Sequence, residues 1–129
     1  MQFQVTIQRD APGRFSLRSH ESVEALNPKE LFLYSTLLCS AYTIDSLLEK
    51  KRIKLPELEL SLSGHLTTPT LQAESLFDSF FISYNARCSS LEDQAGVAQA
   101  IRLSHDKYCG LLQMLRKIAP LSHEISLRS

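Results

Sequence analysis

The sequence predicts an α+β fold, with strands first, then one long helix, two more strands, a second helical region and a closing strand. Three observations carry this prediction. The N-terminus alternates apolar and polar residues with a period of two. An uncharged stretch behind a helix-start signal is too long for a strand. The strands and helices that follow do not alternate as regular βαβ units.

Phe3, Val5 and Ile7 share one face of the first strand, and Gln4, Thr6 and Gln8 the other. Pro12 and Gly13 supply a turn, and Phe15 and Leu17 return as a hairpin partner. His20 to Leu26 is expected to add a short third strand, making a meander. Asn27, Pro28 and Glu30 then form a helix start: a cap, a proline suited to the first position, and a glutamate three residues after the cap. The helix is expected from Pro28 to Lys50. Its body, Leu31 to Ile44, carries no charge, so it should be central and covered nearly all round. Glu49, Lys50, Lys51 and Arg52 end it, cations suiting the negative end of the helix dipole.

After Pro56, Leu58, Leu60 and Leu62 alternate with Glu57, Glu59 and Ser61, and Gly64 is expected to close that strand. His65 to Ser75 reads as a loop or irregular extension, and Phe77 to Tyr84 as an aromatic-rich strand. Ser90 and Asp93 open the last helical region, in which Val97, Ile101, Tyr108, Leu111, Leu115 and Ile118 keep helical spacing. Ser104 interrupts that stripe, and a break near His105 would divide the region in two. Pro120 stops it, and His123, Ile125 and Leu127 make the closing strand.

A chain of 129 residues with 43% hydrophobic content buries a core without staples, so residues 1–129 are expected to form a single domain. Fourteen basic and 14 acidic residues cancel, which provides no long-range field for nucleic acid or an anionic membrane. No basic segment leads into an apolar one at the N-terminus, and the uncharged run is short of a bilayer span. A soluble, cytoplasmic protein is the expectation.

The three cysteines, Cys39, Cys88 and Cys109, include no C-x-x-C pair, against both a disulfide scaffold and a four-cysteine zinc module. Taken singly, each reads as a small buried hydrophobe. Taken together, Cys39 and Cys109 read differently, because Ser40, Ala41 and Gly110 would let two helices approach closely enough for a disulfide to form and break. Cys39 stands about eleven residues into its helix, roughly 17 Å from the dipole end, so its activation requires another cation. Arg14, Arg18 and Lys29 are the candidates. His105 and Asp106 share the neighbourhood of Cys109, yet one helix completes neither a Cys–His dyad nor a zinc site. No cofactor or metal is indicated, and Cys88 reads as structural.

The stretches "NPKELFLYSTLLCSAYTIDSLLEKK" and "SHDKYCGLLQMLRKIAPLSHEISL" resemble the OsmC/Ohr family of osmotically inducible and organic hydroperoxide resistance proteins, particularly its small YhfA-type subgroup. The resemblance spans about Asn27 to Leu127. It implies an intertwined homodimer with long central helices between sheets and active sites at the interface. It also implies that Cys39 attacks an organic hydroperoxide, becoming a sulfenic acid, and that Cys109 resolves it to a disulfide reopened by a dithiol reductant. Peroxidase members hold an N-terminal arginine with a glutamate at the start of the long helix. Here Lys29 occupies that glutamate position, Glu30 follows roughly 100° around the helix, and Arg14 is the candidate arginine. The resemblance therefore leaves two functions in view: a thiol peroxidase, or a redox-responsive or small-molecule-binding homodimer of the same fold. A third, purely structural role for both cysteines stands beside them.

Overall fold

All residues from Met1 to Ser129 are described by a computed structural model. Strand β1 (Gln2–Ala11) turns through Gly13 into β2 (Arg14–Leu17). Gly13 has φ 72°, the left-handed region that glycine enters without a Cβ penalty. Helix α1 (Pro28–Lys50) leads to β3 (Glu57–Leu66) and β4 (Phe77–Arg87). Helices α2 (Leu91–Leu103) and α3 (Gly110–Ile118) then carry the chain to β5 (Leu121–Arg128).

The strands form one sheet in the order β2-β1-β3-β4-β5. All neighbours are antiparallel except β4 and β5, which the α2 and α3 crossover makes parallel. Register puts Val5 opposite Leu62, Leu60 opposite Tyr84, and Tyr84 opposite Ile125. Alternation along the strands places Val5, Ile7, Leu58, Leu60, Leu62, Ile82 and Tyr84 in the core with α1. Each fully buried aliphatic side chain there contributes roughly 1.5–3 kcal/mol of transfer free energy.

Helix α1 has the predicted bounds and cap. Asn27 Oδ1 accepts the Glu30 amide at 2.9 Å, and Glu30 Oε1 accepts the Asn27 amide at 3.0 Å. The helix is long and apolar enough to cross a membrane by length and composition, but Leu33, Leu37, Ala41, Ile44 and Leu48 are buried against the sheet. Contrary to the expectation of all-round cover, the sheet together with α2 and α3 leaves part of the helix uncovered, and Leu31, Phe32 and Tyr42 are exposed.

The strand expected at His20 to Leu26 is absent. Ser19 Oγ takes the Thr6 amide at 3.0 Å, replacing a backbone carbonyl and ending the ladder, and Val23–Ala25 form a 3-10 turn. Gly64 does not close β3, which runs on to Leu66. The ring of Phe77 fills the space over this glycine so closely that a Cβ there would clash with Phe77 Cε1. The break near His105 is one turn of π-helix, Ser104–Tyr108, with Cys109 extended at φ −84° and ψ 102°. The additional residue in that turn rotates Tyr108 out of the predicted apolar stripe, leaving it exposed.

Candidate functional site

The π turn brings Cys109 to α1. Its sulfur lies 3.2 Å from that of Cys39, and both are free thiols. This separation exceeds the roughly 2.05 Å of a bonded pair but is within thiol hydrogen-bonding range, with Cys109 donating to Cys39. Cys109 is fully buried, whereas Cys39 is half-buried at the edge of the covered face of α1. The close approach rests on Ser40 and Ser104, whose hydroxyls are 3.4 Å apart, with Ser104 Oγ also donating to the Ser40 carbonyl at 3.3 Å. Gly110 plays no part in it, since a Cβ there would meet nothing within 4 Å.

Cys109 occupies the N-cap of α3 rather than the middle of a helix. The amides of Leu112 and Leu111 draw its thiol toward the thiolate, but burial dominates, aided by the hydrogen bond to Cys39, and pushes it up to about 12. Cys109 therefore keeps its proton at neutral pH. Burial also raises the Cys88 thiol, with Asp93 adding to the effect; Cys88 sits in the core.

Beneath the sulfurs lies a polar network that the sequence does not announce. Tyr84, reaching in from β4, is bonded at 2.8 Å to His105 Nδ1. Burial pushes the Tyr84 phenol above its ordinary value, against the opposing influence of the Ser40 hydroxyl, so it stays protonated and donates. Burial, with His123 and Arg116 nearby, lowers His105 to about 4, which leaves a neutral ring able to accept. The His105 carbonyl accepts Gln113 Nε2 at 3.0 Å and Arg116 Nη2 at 2.7 Å. The only advance signal was Ser104 breaking an apolar stripe; a tyrosine in an aromatic strand does not reveal its partner.

Arg14 is exposed at the start of β2 and its side chain makes no ion pair or hydrogen bond. Its flanking residues are nonetheless tied to the helix that carries Cys39. The Gly13 amide donates to Asp45 Oδ2 at 2.7 Å, and the Phe15 ring meets Tyr42 edge-on at 5.5 Å. Arg18 pairs with Asp10 at 3.3 Å, and Lys29 donates to the Gln72 carbonyl at 3.1 Å. Glu30 Oε2 holds His20 Nε2 at 2.8 Å, so the carboxylate beside Lys29 binds a histidine and no arginine. No lysine or arginine hydrogen-bonds to either sulfur. His105 is engaged by Tyr84 rather than by Cys109, and Asp106 is exposed near Arg116 at 3.8 Å. Nowhere do three or more histidine, cysteine or acidic side chains converge as a metal site would require.

The family model for OsmC-like proteins matches residues 19–124. Protein YhfA of Escherichia coli strain K12 is 31% identical over 100 residues, covering 78% of this chain and 72% of that protein. An OsmC-like protein from Mycoplasma pneumoniae superposes with a TM-score of 0.65 at 11% identity, covering 100% of this chain and 96% of the other. An organic hydroperoxide resistance protein of Bacillus subtilis superposes with a TM-score of 0.58 at 12% identity, covering 96% and 98%. At those identities the structures establish a common fold. With the matched region reaching from the end of the N-terminal hairpin into β5, the chain belongs to the OsmC-like protein family.

Proposed function

We propose that this protein is a thiol-dependent peroxidase that reduces organic hydroperoxides through Cys39 and Cys109. The observation that carries the reading is the pair itself: two free sulfurs 3.2 Å apart, one reachable from solvent and one fully buried with its proton held. The more accessible sulfur, Cys39, meets the peroxide. Its thiolate attacks the distal oxygen, the S–O bond forms as the O–O bond breaks, and the alkoxide leaves and takes a proton as the alcohol. Cys39 is then a sulfenic acid. Cys109 condenses with it: the S–S bond forms, the S–O bond breaks, and the hydroxyl leaves with the Cys109 proton as water. A dithiol reductant returns both cysteines to thiols, becoming a disulfide itself.

Arg14 is the residue we assign to charge support at Cys39. The hairpin contacts on Tyr42 and Asp45 lie three and six residues along α1 from Cys39, a rise of about 4.5 to 9 Å. We also propose a homodimer, with the exposed Leu31, Phe32 and Tyr42 face of α1 covered by a second copy.

The test is consumption of cumene hydroperoxide or a fatty-acid hydroperoxide with a dithiol. Cys39→Ser should abolish turnover, Cys109→Ser should leave a trappable sulfenic acid, and Arg14→Gln should slow the first step. Unchanged consumption by Cys39→Ser would sink the proposal. One observation favours a second reading, a redox-responsive dimer that is not a peroxidase: Glu30 is committed to His20 and holds no arginine at Cys39, and Lys29 is committed to Gln72 and lends no charge there. That reading expects slow alkylation of Cys39 at pH 6, and rapid alkylation would exclude it.

A further inference from the structure

We infer that His105 is the positioning residue of the Cys109 thiol: the Tyr84 hydrogen bond to its ring and the Gln113 and Arg116 hydrogen bonds to its carbonyl hold the π turn where Cys109 meets Cys39. The inference rests on the reading that this pair closes to a disulfide, and it assigns to Tyr84 and His105 a role separate from attack on peroxide.

A single π turn needs support from outside, because it interrupts the i to i−4 ladder on either side. Here the supports converge on one residue. His105 Nδ1 is held from β4 by Tyr84 at 2.8 Å, and its carbonyl is held from α3 by Gln113 at 3.0 Å and Arg116 at 2.7 Å. Its ring lies 4.2 Å from that of His123 on β5. The groups facing it are thus Tyr84, His123, Arg116 and the nearby Asp106. Cys109 hangs from this anchored turn by its own amide, which donates to the Ser104 carbonyl at 3.0 Å.

His105 and Tyr84 are 2% and 0% exposed, so water cannot replace a lost partner. Without the phenol hydroxyl, Nδ1 is left buried and unpaired, and the turn is released from the sheet. Two sulfurs 3.2 Å apart leave little room for such a shift, since reaction depends steeply on placement.

Closure driven by diamide tests this without any hydroperoxide. Cys39 adds across the N=N bond, and Cys109 displaces that nitrogen, the S–S bond forming as the S–N bond breaks. Two electrons pass to the diazene, and the thiol protons end on the resulting hydrazine. The variants are Tyr84→Phe, His105→Asn, which keeps an acceptor at the δ position, and His105→Leu, which does not. The readouts are the closure rate, with the Cys39–Cys109 peptide identified by mass spectrometry, and iodoacetamide alkylation of Cys39 in a Cys109→Ser background.

Tyr84→Phe and His105→Leu should close at least about tenfold more slowly. His105→Asn should stay close to wild type, and Cys39 alkylation should be within about twofold of wild type throughout. Closure in Tyr84→Phe at the wild-type rate overturns the inference, as does a parallel fall in Cys39 alkylation, which would put the lost reactivity at Cys39 and not in the placing of Cys109. If Tyr84→Phe loses its native circular dichroism, the two His105 variants decide, and equal closure rates overturn it. A wild-type pair that diamide leaves open also overturns it. A pair that diamide closes with the expected variant pattern, but hydroperoxide does not, defeats the peroxidase reading alone.

Discussion

Oxidising the thiol pair should make the folded protein markedly more stable. Cys39 and Cys109 stand 70 residues apart in the chain, and a cross-link over that span removes loop entropy from the unfolded state worth about 4.4 kcal/mol at 25 °C. In the folded protein the sulfurs lie 3.2 Å apart and need to approach by only about 1.2 Å to bond, so little of the gain should be lost to rearrangement. With a urea dependence of about 2 kcal/mol per molar, the denaturation midpoint should rise by roughly 2 M. The assay is urea denaturation of the fully reduced and diamide-oxidised protein at equal concentration, followed by circular dichroism. Equal concentration matters because any association adds its own stabilisation. A midpoint in the cross-linked form at or below that of the reduced form would refute the reasoning, because it would mean the sulfurs meet only after the π turn is pulled out of its native place.

Stability should also fall as acid is added. His105 is held at about 4 in the folded protein against about 6.5 when unfolded, so the unfolded chain binds the extra proton between those values. Its contribution is complete above about pH 6.5 and is lost toward pH 4, with a slope approaching 1.4 kcal/mol per pH unit that His105→Asn should remove from urea midpoints measured across this window. Glu30→Ala removes both the reciprocal cap on Asn27 and the partner of His20, and should cost about 1–2 kcal/mol by thermal or urea denaturation. Cys88→Ala should leave diamide closure of the other two cysteines unchanged, and Cys88 itself should alkylate only when the protein is unfolded, because it lies in the core with its thiol held protonated.

Local signals in the sequence determined α1, its capping box and the alternation of β1 and β3, because helix caps and strand faces are set by residues within a few positions of one another. The same locality explains the errors. The His20 to Leu26 segment follows the hairpin and reads as its continuation, but its fate depends on Ser19 meeting Thr6 across the hairpin and on His20 meeting Glu30. Gly64 looks like a terminator until Phe77, on the next strand, is seen to fill its place. For the site, residue types and family resemblance singled out Cys39 and Cys109, but nothing near either cysteine shows how they meet. Only the tertiary structure decided that: the π turn moved Cys109 to the head of α3, and Ser40, Ser104, Tyr84 and His105 came together there from α1, the turn and β4. The physical reason is range. Side-chain hydrogen bonds between groups 21 and 64 residues apart leave no periodicity in the chain, and a buried polar group reveals its partner only when the surrounding core has excluded water.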